Sequence, residues 1–365
     1  MIRMGIEEEF HIIDPRTRYA VSAAPALLEK LPSGPFTGEM VETSVELNTA
    51  PHDSLPSLRT DLVGLRTRLV AAAGELGLGV IASGTAPLMR LGDVRLGPGE
   101  HYALIMRKYA DVAREWVTCG LHVHVEVVDR DHAVLAMNSV LPHLGTLLAI
   151  SASSPYWIGR ETGLASYRHT NTMRLPTAHV SGPFASADEY DKLVGTLLDL
   201  DVMANQKMFY PPIRLSSHLP TIELRVGDSI ADAEVSLLIA ALFRALVGKT
   251  VLGTAEIAPT LSPVAHDAAM GLAAREGLAG DLVDPVAGVV APAHVVLRRL
   301  VDFVTPELVH LGDLETVTAT VEHLLEHGNS ASRQRRQGEL DGLEAVTDQL
   351  LAETRACTEP ATKTR

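Results

Sequence analysis

Gly5-Ile6-Glu7-Glu8-Glu9-Phe10 reads as a short strand, with Ile6 and Phe10 at even spacing and an acid at each position between 7 and 9. A strand sends every second side chain to the same face, so Glu7 and Glu9 project together. Two neighbouring carboxylates repel unless a positive charge sits between them, commonly a hard divalent cation. A solvated strand edge is the alternative reading. Three other segments echo the pattern: acids from Glu39 to Glu46, the pair His122 and His124, and Glu223 with Arg225. Paired acids, paired histidines and an acid–arginine pair could together build one metal–phosphate site.

The 365 residues allow one large domain or two small ones, with a substantial buried core. The net charge of −14 argues against nucleic acid or an anionic membrane as the main partner, while leaving ATP with magnesium open. Cys119 and Cys357 are too far apart to suggest a disulfide framework, which makes a reducing cytosol the default. The N-terminus carries three glutamates where a signal peptide would need an apolar run. No stretch approaches the ~18 uninterrupted apolar residues of a membrane span, and Arg244 breaks the best candidate, Val235 to Val247. A cytoplasmic protein that inserts in no membrane is expected.

Leu58, Leu62, Leu65, Leu69 and Ala72 fall at helical spacing and predict an amphipathic helix over 54–79, with Arg59, Arg66 and Arg68 off its apolar face. Strands are expected over 80–84, 121–128 and 221–226, and helices over 100–114, 131–151 and 231–256. Ser186-Ala-Asp-Glu189 is a capping box opening a helix that ends near Ala204. Residues 153–186 are rich in Gly, Pro, Ser and Thr without clean periodicity, a pattern more common in functional loops than in spacers. Residues 264–356 read as mainly helical. The expected organisation is one catalytic domain over 1–357 with a flexible tail over 358–365. Strands crowded into the first two-thirds, with helices of uneven length between them, favour α+β over a regular βαβ alternation.

Several nucleotide and nucleophile motifs are missing. Gly248-Lys249-Thr250 ends like a P-loop, but Phe243 replaces its first glycine and the context is mid-helix. No G-x-S-x-G is present, and two cysteines cannot build a zinc–thiolate cluster. The acids at 39, 42 and 46 share a face if helical; 42 and 46 do if extended. Leu121-His-Val-His-Val125 puts both imidazoles on one side of a strand, as metal or phosphate contacts or as structural groups. Thr221-Ile-Glu-Leu-Arg-Val226 sets Glu223 and Arg225 on one face, where a cross-strand ion pair is the competing reading.

Taken together, Gly5–Phe10, Gly38-Glu-Met-Val-Glu-Thr-Ser-Val-Glu-Leu47, Cys119-Gly-Leu-His-Val-His124, Ser153-Ser-Pro-Tyr156, Ala165-Ser-Tyr-Arg168, Ile213-Arg-Leu-Ser-Ser-His218 and Thr221–Arg225 resemble the type 2 glutamate–cysteine ligase family. These are carboxylate–amine ligases of the YbdK type, and the resemblance runs from about residue 5 to 350. Ala82-Ser-Gly-Thr85 and Ala331-Ser-Arg-Gln-Arg335 are similar to actinobacterial members. The resemblance implies an α+β, glutamine-synthetase-like fold, in which a curved antiparallel sheet forms a cleft walled by helices. It implies ATP-driven activation of an acid, nominally glutamate, as an acyl phosphate, and displacement of phosphate by an amine, nominally cysteine.

Carried over by motif, Glu7, Glu9, Glu39, Glu46, His122 and Glu223 would hold two or three magnesium ions. Arg225 would face the transferring phosphoryl group, with Glu223 beside it in the catalytic pair. Arg168 and Arg214 would bind substrate carboxylate or phosphate, and His124 and His218 would line the cleft. Two departures bear on specificity. Ala86 replaces a histidine common before Pro87 in relatives, and the 168–176 loop lacks their tryptophans, so Arg174 and His169 could serve a different substrate. The partners expected are small-molecule acid and amine, with a twofold homodimer through apolar C-terminal helices. Two other classes compete: a zinc hydrolase built on His122 and His124, and a non-catalytic binding protein.

Overall fold

The computed structural model describes residues 2–253 and 261–356. In chain order the strands are β1 (Met4–Ile13), β2 (Phe36–Gly38), β3 (Ser44–Asn48), β4 (Gly79–Ile81), β5 (Gly120–Glu126), β6 (Tyr156–Trp157), β7 (Arg160–Glu161), β8 (Ile213–Leu215), β9 (Thr221–Asp228), β10 (Asp281–Asp284) and β11 (Val289–Pro292). The helices are α1 (Ala24–Leu28), α2 (Leu55–Glu75), α3 (Glu100–Arg114), α4 (Arg130–Val140), α5 (Leu144–Ser151), α6 (Tyr167–Thr172), α7 (Ala187–Asp199), α8 (Ala233–Val251), α9 (Pro263–Glu276), α10 (Ala293–Leu311), α11 (Leu314–His327) and α12 (Ser330–Ala356).

Among the described residues seven strands form one sheet in the order β2-β3-β1-β5-β9-β8, with β4 pairing β1 as well. Every pairing in it is antiparallel. The α+β class expected from the sequence is therefore the one observed. β1 lies inside the sheet and alternates: Ile6, Glu8 and Phe10 are buried on the side covered by helices, while Glu7 and Glu9 are only partly covered. α2 and α8 pack against β1, α8 against β5, and α5 against β9.

α2 begins where Ser54 accepts a hydrogen bond from the Ser57 amide, and it buries Leu58, Leu62, Leu65 and Leu69 as the spacing predicts. Arg66 departs from the expectation of a polar face. It is fully buried and grips Glu8 in a two-pronged ion pair at 2.7 and 2.8 Å, while also donating to the carbonyls of Ile230 and Ala231. The i, i+1 neighbour of Leu65 lies close enough to the buried stripe for a long side chain to reach the sheet.

α8 is buried on all sides from Val235 to Lys249, as a helix apolar all round must be. Lys249 lies within it, 3.1 Å from Glu307, in no phosphate-binding loop. The helix expected over 131–151 is split, because Pro142 sits in a 3-10 turn at Leu141–His143. Arg130–Ser151 meets the length and mean hydropathy of a membrane span, although Asn138, Ser139, Pro142 and His143 interrupt its apolar run, and 83% of its window is buried inside the protein. The segment 153–186 contains the β6–β7 hairpin and α6.

The apolar C-terminal helices expected to meet a copy are largely packed inside the chain. Leu297, Leu300 and Val304 of α10, and Val317, Val321 and Leu324 of α11, are buried within the one chain, while Val309 of α10 is exposed. The expected tail over 358–365, and the end of the helix expected to reach 256, lie outside the described residues.

Candidate active site

Strand register brings the predicted residues together. Glu9 lies opposite Glu46 across β1–β3, and Glu7 opposite His122 across β1–β5. His124 lies opposite Glu223 across β5–β9, and Arg214 opposite Glu223 across β8–β9. Their side chains floor an open cleft of about 310 Å³. Glu7, Glu9, Glu39, Glu46, His122, His124, Arg168, Arg214, His218, Glu223 and Arg225 all line it. Glu39 reaches it because the chain turns between β2 and β3; Glu42, on the same turn, does not line it.

The electrostatics are those of crowded acids. Burial and the charges of Glu9 and Glu46 push the Glu39 carboxyl well above its ordinary range. Burial and the charges of Glu7 and Glu9 push Glu46 up to about 7, although Thr37 and Asn48 donate to it at 3.0 and 2.9 Å. Glu7 goes the other way: burial opposes its ionisation, but His122 and His124, at 3.3 and 3.2 Å, hold it far below the usual range. Glu9 accepts from the Gly120 amide at 2.6 Å. Glu223 is gripped by Arg214 at 2.7 and 3.1 Å and by Arg225, and these cations overcome burial to keep it ionised.

Two groups of side chains bring ligand atoms within 4.8 Å of one another: Glu7, His122 and Glu223, and Glu9, Glu46 and His122. His122 belongs to both, and its buried Nε2 has no hydrogen-bond partner. Carboxylate oxygens in surplus, two of them reluctant to ionise, and one orphaned imidazole nitrogen fit a hard divalent cation. Glu39 stands beside these groups without belonging to either. His124 also stands apart, its Nδ1 2.9 Å from Thr221 Oγ1.

Some expectations are corrected. Arg174 does not line the cleft; it is exposed and bound to Glu115 at 2.6 Å and to Asn171 at 3.2 Å. Ala86 is fully buried in the core and does not line the cleft. His169 is buried within α6, where desolvation first and the Arg168 charge second push its imidazole down to about 4. The sequence reading missed Tyr102, His101, Trp116, Lys207 and Tyr210, which wall the cleft. Trp116 and Tyr210 meet edge to face at 4.8 Å. These residues sit on α3 and in loops, and no periodic signal marks them; only adjacency to motif residues such as Cys119 could have raised Trp116.

The sequence profile of glutamate–cysteine ligase family 2 matches residues 3–351. The chain belongs to that family. A Frankia alni protein provisionally named glutamate–cysteine ligase 2-3 is 43% identical over 97% of this chain, and a Mycolicibacterium smegmatis protein provisionally named glutamate–cysteine ligase 2-2 is 41% identical over 96%. The chain spans 42% of the Frankia alni relative's length and 89% of the mycobacterial one. In fold, the chain is similar to a Francisella tularensis glutamate–cysteine ligase crystallised with AMP, with a TM-score of 0.74 at 12% identity, over 99% of this chain and 89% of that one. A bifunctional glutathione synthetase from Pasteurella multocida gives 0.73 at 15% identity, over 98% of this chain and 52% of that one.

Proposed function

We propose that this chain is an ATP- and magnesium-dependent carboxylate–amine ligase that forms an amide through an acyl phosphate, with glutamate and cysteine as nominal acid and amine. One observation carries the reading: a single cleft over the sheet gathers five carboxylates, four imidazoles and three arginines. A carboxylate oxygen of the acid would attack the γ-phosphorus of ATP as ADP leaves. The amine nitrogen would then attack the acyl carbon, expelling phosphate and losing a proton. Such transfer is governed by positioning and charge neutralisation.

Glu7, Glu9, Glu46, His122 and Glu223, with Glu39 adjoining, would hold magnesium, which when bound neutralises phosphate charge. Arg225, fixed by Glu223, supplies a planar cation for phosphoryl oxygens, and Arg214 steadies the same carboxylate. Arg168 offers donors to a substrate carboxylate. The zinc-hydrolase reading lacks support, because neither ligand group among the described residues contains both histidines.

The test is phosphate release from MgATP across acid–amine pairs, beginning with L-glutamate and L-cysteine. Release that depends on both the acid and the amine is expected. ATP consumption that ignores both, or stoichiometric zinc with hydrolysis in place of ligation, would overturn the reading.

A further inference from the structure

Arg168 is buried, yet no carboxylate pairs with it among the described residues. Its Nη atoms reach only the carbonyls of Arg225 and Val226, at 3.4 to 3.5 Å, and its Nε has no partner at all. A cation held this loosely at a cleft wall has donors to spare for an anion, and something else must fix its place.

That something is traceable. Asp228, at the end of β9, is fully buried and accepts from the Ser153 amide at 2.9 Å, from Ser154 Oγ at 2.6 Å and from Ser166 Oγ at 2.7 Å. Ser154 Oγ in turn accepts from the Arg168 amide at 3.1 Å, and Ser166 Oγ caps α6 by accepting from the His169 amide at 3.2 Å. Both hydroxyls therefore relay one carboxylate to the first turn of the helix that carries Arg168. Two glycines keep the room this needs. A Cβ on Gly84 would meet Asp228 Cγ at 2.6 Å, and one on Gly120 would meet Arg168 Nη2 at 2.3 Å. The Asp228 charge also works against the desolvation that disfavours the Arg168 cation.

We propose that Asp228 is a positioning residue: through Ser154 and Ser166 it sets the start of α6, and so aims Arg168 at the carboxylate of the acid substrate. This rests on Arg168 receiving that acid. Asp228 touches no cleft space itself, so its effect should fall on the acid and leave the nucleotide alone.

A double-mutant cycle tests it, with L-glutamate as the acid probe, read by calorimetric binding and by phosphate release. Asp228→Asn keeps the size but removes the charge and replaces one of the two acceptor oxygens with an N–H donor, so the three donors can no longer all be met. We expect Asp228→Asn and Arg168→Ala each to weaken L-glutamate about tenfold or more, with the pair no weaker than Arg168→Ala alone. MgATP affinity should change less than about twofold. Ser154→Ala should give a smaller loss of the same kind, and serves if the aspartate variant fails to fold. Additive losses, or acid and nucleotide affinity falling together with Tm, would make Asp228 a folding residue and overturn the proposal. So would L-glutamate binding that Arg168→Ala leaves unchanged. A wild-type protein that binds L-glutamate through Arg168 but releases no phosphate would defeat the ligase reading alone; non-coupled variants of an active protein would defeat this proposal alone.

Discussion

Arg225 shares its face of β9 with Glu223, and lysine separates the two roles open to it. If the pair served only the fold, a lysine would keep its charge at little cost. If the guanidinium must meet phosphoryl oxygens, its planar fork is lost, and that exchange is not conservative. Arg225→Lys should lower turnover by roughly 10²-fold or more with little change in Tm; near-normal phosphate release would show a structural pair. Glu7→Gln and Glu9→Gln should abolish turnover even at saturating magnesium while far-UV dichroism stays native. Glu46 should show the opposite balance. Its carboxyl is pushed up to about 7 by burial and by its acidic neighbours, so Glu46→Gln removes repulsion in the metal-free protein. In EDTA it should stabilise the chain by about 0.5–2 kcal/mol while eliminating activity, as thermal melts and phosphate release would show.

At the scale of the element, β1 carries acid to both of its faces. Glu7 and Glu9 serve the cleft, and Glu8 meets Arg66 from α2 in a fully buried pair. Removing one partner of such a pair leaves a buried charge alone, a loss of about 3–5 kcal/mol. Glu8→Ala should therefore shift the urea midpoint far more than Glu7→Gln, although the residues are adjacent. Alternation made the facing of Glu7 and Glu9 legible in the sequence, as it did for His122 with His124 and Glu223 with Arg225. Period-two reasoning needs nothing beyond the strand itself. The partner of Glu8 was not legible, since it comes from a distant helix. Glu39 and Glu46 resisted a choice between helix and strand because a turn separates β2 from β3. Arg174 was misplaced for a related reason: its neighbourhood was visible, but not Glu115, which captures it.

Across the molecule, buried imidazoles should set its acid tolerance. Burial pushes His143 and His169 down to about 4, against an ordinary value of 6.5. Between those values the unfolded chain binds protons that the native one refuses, so stability falls as pH drops through that window. Each group contributes up to about 1.4 kcal/mol per pH unit there. Urea unfolding followed from pH 7 to 4 should steepen below 6.5, and His143→Gln should flatten that slope whatever it does to stability at pH 7. An unchanged slope would remove His143 from the account. The family and the α+β class were readable because their signals are local motifs in order. The aromatic walls and the Asp228 relay were not, because they exist only once the sheet is closed. The interior place of β1 has a consequence for the living cell. Its partner residue His122 follows Glu7 by 115 positions, so at ribosomal speed the strand waits on the order of ten seconds for its neighbour. During that interval an acid-studded ribbon hangs with an open flank, and three adjacent carboxylates on such a flank disfavour its annealing to another copy.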